Sequence, residues 1–299
     1  MRNSYNRPDM TWAIASSSSD ADFVTDSSAL TNGRPADATR VQAGTTSSPS
    51  LTDTIILTAT FGNAIKCGCA ALLMPNIATA LPAGVKVTFA GELLGSDVAL
   101  NGNSTTQRTY ALPNGAPAVH CVFPAVQIDT LIITIYNDKS GATWITSDAY
   151  FDLGEVWAGE CADFAVANDI DADLMGGLLQ RKSHNNQAWP LAVQAYRSIT
   201  VNLVPMTETV AIGPNPAQDD FQTVANALSG SSATVLIPFY LDRESGAFGK
   251  PPPVIDSTTI NSQRLARSFI LGNPDQPVKM KANGDKYFVA PITFGETPP

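Results

Sequence analysis

The sequence predicts a mainly β protein: an antiparallel β-sandwich followed by a second β-rich half with one or two short helices. Three observations carry this. Short runs with a two-residue apolar period recur at intervals of roughly 10 to 25 residues, separated by Gly, Pro and Asn turns. No long stretch carries a helical period. The chain is long enough for a substantial core, with 299 residues of which 44% are hydrophobic.

Residues 1–20 read as an extended N-terminal arm ending in Ser16-Ser17-Ser18-Ser19. Asn32-Gly33 is a tight-turn dipeptide, and Arg34-Pro35 continues its loop. The first clear strand is Thr54–Phe61, with Ile55, Leu57, Ala59 and Phe61 on one face and Thr54, Thr58 and Thr60 on the other. Ala64–Leu73 is the next, with Ile65, Cys67, Cys69, Ala71 and Leu73 sharing a face. Pro75-Asn76 ends it. Val85, Val87 and Phe89 mark a third strand, and Ala118–Phe123 a fourth.

The strongest strand signal lies between Asp129 and Asn137, where Leu131, Ile133 and Ile135 face one way and Thr130, Thr134 and Tyr136 the other. Asn137 to Gly141 is turn chemistry. A second strand then runs from about Ala149 to Trp157, and this pair is expected to close the sandwich. The sandwich domain is placed at 21–165 and the second β-rich domain at 166–299.

Around residues 162–195 the pattern lapses, and the stretch reads as a junction loop between the halves. Tyr196–Val204 is again a strand. Pro214–Ser229 reads as a helix, with Asp219-Asp220 near its start, Phe221, Val224, Ala225 and Leu228 at helical spacing, and Gly230 as its stop. Strands follow at 233–240, 264–271 and 286–294, with a hairpin-like Asn283-Gly284 before the last.

Composition excludes several functions. The net charge of -9 and the lack of any Lys/Arg run disfavour nucleic-acid binding. No apolar run reaches membrane-span length, and the N-terminal residues lack a secretory h-region. The expectation is synthesis in the cytoplasm without export except in a particle. Charged residues make up only 15%, below the usual quarter. Such a surface is either rich in uncharged polar residues or buried against partners.

The order of features resembles tailed-bacteriophage tail-tip and baseplate structural proteins whose N-terminal half is a galactose-binding-like (discoidin-like, jelly-roll) sandwich. The resemblance rests on the Asn-Gly-Arg-Pro-Ala-Asp loop at 32–37, on Ala-Ala-Leu-Leu-Met-Pro-Asn at 70–76, and on Phe-Asp-Leu-Gly-Glu-Val-Trp-Ala-Gly at 151–159. It extends through the helix-and-strand order of 219–242 to the apolar strand and Glu of 292–296. It implies a non-enzymatic virion component at the distal tail that forms a symmetric homo-oligomeric ring and joins other tail proteins. Such sandwiches often bind sugars through loops at one end, so the alternative is a carbohydrate-binding module recognising host surface glycan. The resemblance transfers no catalytic residue and no cofactor.

Cys67, Cys69, Cys121 and Cys161 could together hold zinc or an iron–sulfur cluster, but Cys-x-Cys is not the usual knuckle. Buried, reduced structural thiols are the preferred reading. His120 and His184 lack a nucleophile elbow and an orienting acid, so no hydrolase constellation is in view. Asp169, Asp171 and Asp173 start like a calcium loop but lack the Gly at the sixth position and the Glu at the twelfth, where Leu174 and Gln180 stand. Trp144 fits a turn tip and Trp157 a strand core. Tyr5, Met10 and Trp12 of the arm are interface candidates for docking on a neighbouring subunit, with Trp12 folding back onto its own sandwich as the alternative.

Overall fold

A computed structural model describes residues 2–5, 7–16, 21–23, 25–32, 37–43, 54–73, 85–100, 107–111, 118–137, 150–164, 166–182, 188–214, 219–230, 234–237, 270–274, 278, 280–283, 287–289 and 291–296. In chain order the first half contains β1 (Arg2–Tyr5), β2 (Met10–Ser16), β3 (Ala21–Phe23), a 3-10 turn (Ser27–Thr31), β4 (Thr39–Ala43), β5 (Thr54–Leu73), β6 (Val85–Leu93), β7 (Ser96–Val98), β8 (Gln107–Ala111), β9 (Ala118–Asn137), β10 (Tyr150–Leu153) and β11 (Glu155–Asp163). The second half contains β12 (Val166–Lys182), β13 (Ala188–Leu203), β14 (Met206–Thr207), α1 (Glu208–Ile212), α2 (Phe221–Gly230), β15 (Thr234–Ile237), β16 (Ile270–Pro274), β17 (Lys281–Asn283), β18 (Tyr287–Val289) and β19 (Pro291–Glu296).

The architecture is antiparallel β throughout. One 13-stranded sheet runs in the order β12-β13-β19-β16-β15-β1-β11-β5-β9-β6-β7, with β2 also on β5 and β8 also on β6. A small sheet, β10-β4-β3, forms the second layer of the N-terminal sandwich. The first core fills the space between these layers. Ile55, Leu57, Ala59 and Phe61 of β5, Val87 and Phe89 of β6, and Leu131, Ile133 and Ile135 of β9 meet Val41 of β4, Leu153 of β10 and Leu30 of the 3-10 turn. These are the apolar faces that the two-residue period predicted. A second core gathers Ile199, Val201, Ile292 and Phe294 beneath Phe221, Val224 and Leu228 of α2.

Several sequence expectations require correction. The runs at 129–137 and 149–157 do not pair with each other. The first is the end of a single strand, β9, that also absorbs Ala118–Phe123 and lies between β5 and β6. The second splits at Gly154: β10 pairs with β4 in the small sheet, whereas β11 pairs with β5 and β1 in the large one. Corner strands that switch sheets are a normal way to close a sandwich. Likewise Thr54–Phe61 and Ala64–Leu73 are one strand, β5, irregular between Thr60 and Ile65.

A register shift between Cys67 and Cys69 resets the alternation of β5. Cys67, Ala70 and Leu72 therefore belong to the first core, not the uninterrupted odd-numbered set that simple alternation predicted. The supposed junction loop is half of a long hairpin. Asp171 pairs with Thr200 and Asp173 with Ser198, as β12 runs antiparallel to β13. Ile170, Ala172 and Leu174 alternating with acids is itself a two-residue period, and ladder formation outweighs the low strand propensity of Asp.

The predicted helix from Pro214 begins only at Phe221. Asp220 supplies its N-cap: the carboxylate accepts from Thr223 N at 3.0 Å, and the backbone carbonyl accepts from Val224 N. The sequence places the Asn283-Gly284 turn between strands 264–271 and 286–294; instead the strand before it is β17, which pairs with β18, Asn283 opposite Tyr287, while Gly284 lies outside the described residues.

The N-terminal arm is extended, as predicted, but it is built into the sheet. β2 lies along β5, with Met10 opposite Phe61 and Ser16 opposite Ile55. β1 lies between β11 and β15 and so joins the sandwich to the second half in one ladder. Both strands find open edges in their own chain, which satisfies their backbone groups.

Candidate functional site

Two places concentrate polar geometry. The first surrounds β1. Trp157 Nε1 donates to Ser4 Oγ at 2.8 Å, and the indole is fully buried. The Arg7 guanidinium lies over the Trp157 ring, 5.3 Å from its centroid, and donates to the Glu155 carboxylate and to the Thr31 carbonyl. Glu155 and Trp157 are two apart on β11, so strand alternation sets both on the side that Arg7 covers. The Glu155 side chain is 0% exposed and that of Arg7 only 14%. A buried carboxylate needs such a partner to remain charged.

Tyr5 completes this cluster. Its hydroxyl donates to Asp219 Oδ2 at 2.6 Å. Burial foremost, then this bond and the negative charge of Asp219, push the phenol well above its ordinary value. Gly159 is required here, because a Cβ at that position would stand 2.6 Å from the Tyr5 carbonyl oxygen. These contacts tie the first residues of the chain to β11, to the 3-10 turn and to Asp219.

The interface candidates of the arm can now be placed. Tyr5 is buried against the second core, while Met10 and Trp12 are partly buried against the first. Within this chain, Met10 and Trp12 thus pack on the sandwich and Tyr5 on the second half. The Trp12 indole N–H is buried without a partner among the described residues.

Cys67 Sγ donates to the Cys69 carbonyl at 3.2 Å, and Cys161 lies opposite Ser4 on β11. The Cys121 backbone lies opposite Ala70, one step out of line with Cys69, which faces Val122. The Cys121 and His120 side chains, His184 and Trp144 lie outside the described residues. Among the described residues, no three His, Cys, Asp or Glu side chains come together to hold a metal.

The second place is one end of the sandwich. Ser16, the last residue of β2, is opposite Ile55 at the start of β5; Tyr136, near the end of β9, is opposite Thr54. In the small sheet Ala21, the start of β3, is opposite Ala43, the end of β4, and Tyr150, the start of β10, is opposite Gln42. Only four residues, 17–20, separate β2 from β3, which keeps these two sets of strand ends together. β2, β4 and β9 therefore finish at this end and β3, β5 and β10 begin there; the connections 17–20, 44–53 and 138–149 lie outside the described residues. Those connections read Ser-Ser-Ser-Asp, Gly-Thr-Thr-Ser-Ser-Pro-Ser-Leu-Thr-Asp and Asp-Lys-Ser-Gly-Ala-Thr-Trp-Ile-Thr-Ser-Asp-Ala, the last containing Trp144.

Near this end, Arg40 of β4 makes a two-pronged ion pair with Asp152 of β10, at 2.8 and 3.0 Å, on the exposed side of the small sheet. Sequence reading passed over Arg40, Asp152, Arg7 and Glu155. The available signal was an acid inside each of two apolar strand runs, Asp152 between Phe151 and Leu153 and Glu155 before Val156 and Trp157.

No protein-family model and no curated protein matches the chain. Among solved structures, it is similar to CBM32-1 from a family 31 glycoside hydrolase of Clostridium perfringens, at 10% identity over 52% of this chain and 97% of that one, with a TM-score of 0.33. It is similar to a GH31 CBM32-2 bound to GalNAc at 16% identity, covering 51% of this chain and 99% of that one, with a TM-score of 0.35. The CBM32 of AlyQ in complex with 4,5-unsaturated mannuronic acid overlaps 52% of this chain and 98% of its own, at 14% identity and a TM-score of 0.30. These neighbours are carbohydrate-binding β-sandwich modules. Overlaps this shallow carry no argument about activity, and the mainly β, antiparallel architecture stands on the strand pairing itself.

Proposed function

We propose that this chain is a carbohydrate-binding protein whose site lies at the sandwich end where β2, β4 and β9 finish and β3, β5 and β10 begin. One observation supports this reading above others: three Ser/Thr-rich connections, one containing Trp144, depart from strand ends gathered at that end. Hydroxyls supply donors and acceptors for sugar hydroxyls, and an indole offers the apolar face on which a pyranose C–H surface can stack. Binding sites sit preferentially on loops held by a rigid scaffold, and the two-layer core provides one. A glycan array that includes GalNAc and mannuronate oligomers tests it: the chain is retained on a defined set of glycans and the Trp144→Ala variant is not. Retention on no glycan rejects the reading.

A second reading, a structural component of a tailed-phage virion that assembles with itself and with tail proteins, draws on a different observation. Leu94, at the β6–β7 turn, is 88% exposed and has φ 52. An apolar side chain there is unfavourable in water and strained in backbone. The Asp129 carboxylate accepts from Leu94 N at 2.7 Å and fixes the turn. A strained, exposed leucine of this kind suits a contact with another protein. Light scattering of the intact chain tests it, a defined oligomer being the expected result and a monomer at all concentrations the contrary one.

A further inference from the structure

We infer that β1 is a strap on which the second half depends and the sandwich does not: with β1 unseated, the sandwich keeps its core and the second half opens. Among the described residues, β1 is the only strand that pairs with both halves. Arg2 and Ser4 lie opposite Asp163 and Cys161 of β11 on one side, and opposite Ile237 and Val235 of β15 on the other. In the order of the large sheet, β15-β1-β11 is the one junction between strands of the second half and strands of the first.

The two cores differ in what β1 gives them. The buried members of the first core all lie between Leu30 and Ala158, and no β1 residue packs against it. The second core counts Tyr5 among its buried members. The Tyr5 hydroxyl also holds Asp219, two residues before α2, at 2.6 Å. Removing a buried aromatic leaves a cavity that its surroundings close only in part, and here that loss falls on the second core. Without β1, the four-residue β15 becomes an edge strand held by β16 alone. On the sandwich side the loss is polar: the Trp157 indole N–H gives up Ser4 Oγ and gains access to water in its place. Arg7 keeps its contacts with Glu155, the Trp157 ring and the Thr31 carbonyl, all within the first half.

Sequence separation points the same way. Tyr5 and Asp219 stand 214 residues apart, so this contact closes a long loop before it is made. Proteins open in cooperative units of unequal stability. The strap defines one such unit here, made of β1, β15, β16 and α2, and leaves β5 and β9 in another. The seating of the first five residues thereby controls the order of the second half without disturbing the sandwich.

Amide hydrogen exchange of the intact, unmodified chain in low urea tests this. Residues 2–5, β15, β16 and α2 are expected to open together, with protection lower than that of β5 and β9 by roughly tenfold or more. Tyr5→Ala should lower protection in β15, β16 and α2 by roughly tenfold again, and in β5 and β9 by less than about twofold. Residues 2–5 exchanging in step with β5 and β9, through one global opening of the unmodified chain, overturns the proposal. So does a Tyr5→Ala chain that loses protection equally in both sets of strands, or that fails to fold at all, because the sandwich would then have lost its core along with β1.

Discussion

Arg7 and Glu155 form an ion pair across 148 residues of chain, with the carboxylate end wholly buried and the guanidinium stacked over Trp157. It fastens the start of the chain to β11, where the sandwich meets the second half. Breaking a buried pair from one side leaves an uncompensated charge, which typically costs about 3–5 kcal/mol. Arg7→Ala is therefore expected to lower unfolding stability by roughly that amount. Arg7→Met combined with Glu155→Gln should recover most of the loss. Urea unfolding of the three chains checks this; a single variant within 0.5 kcal/mol of the parent, on the order of a surface change, contradicts it.

Gly159 lets β1 approach β11. A Cβ there would meet the Tyr5 carbonyl at 2.6 Å and Ser4 Oγ at 2.9 Å, and the first of these is backbone that cannot swing aside. Gly159→Ala should cost about 1–3 kcal/mol as an overpacking substitution. It should also speed amide hydrogen exchange in residues 2–5 more than in β9. Uniform exchange across both strands would show that β1 pairing does not depend on this clearance.

Tyr5 ties stability to alkaline pH. Its phenol is held well above the ordinary value, chiefly by burial and then by Asp219. In the unfolded chain it ionises near pH 10, while the folded chain keeps the proton. The unfolded state therefore binds fewer protons above about pH 10, and stability falls as pH rises there, by about 1.4 kcal/mol per pH unit for one group. That contribution is fully present below this range. Tyr5→Phe should lose the Asp219 bond at neutral pH and show a shallower decline between about pH 10 and 11. Equal slopes for the two proteins would contradict the assignment.

Leu94 should be a site where substitution stabilises. Asn tolerates the left-handed conformation and Leu does not. Leu94→Asn is expected to raise stability by roughly 0.5–1 kcal/mol in the isolated chain, measured by thermal unfolding. A loss of stability would mean that the leucine packs within its own chain.

Much of the first core was legible in sequence. Ile55, Leu57, Ala59 and Phe61, then Leu131, Ile133 and Ile135, alternate cleanly and are all buried. Alternation gives the face of a strand but not its partner, so the neighbours of β9 and the switch of sheets at Gly154 were not readable. The bulge at Cys67–Cys69 was hidden for a related reason: an extra residue leaves no mark when both neighbours are apolar. The Asp-rich stretch of β12 hides its strand because acid content masks a period that Ile170, Ala172 and Leu174 carry. At the candidate site, Ser/Thr-rich connections and Trp144 were visible, but their common end emerged only from the register of β2, β4, β9 and β10. The Arg7–Glu155 pair was out of reach, since sequence alone does not select a partner from the 18 Lys and Arg residues.

The most direct test of the carbohydrate reading is calorimetric titration of the intact chain with the glycan it retains best on an array, repeated with Trp144→Ala. Saturable binding by the parent, weakened at least tenfold by the substitution, about 1.4 kcal/mol, is the predicted result. Equal affinity for both chains, or no heat of binding for any glycan, would contradict a sugar site at this end of the sandwich.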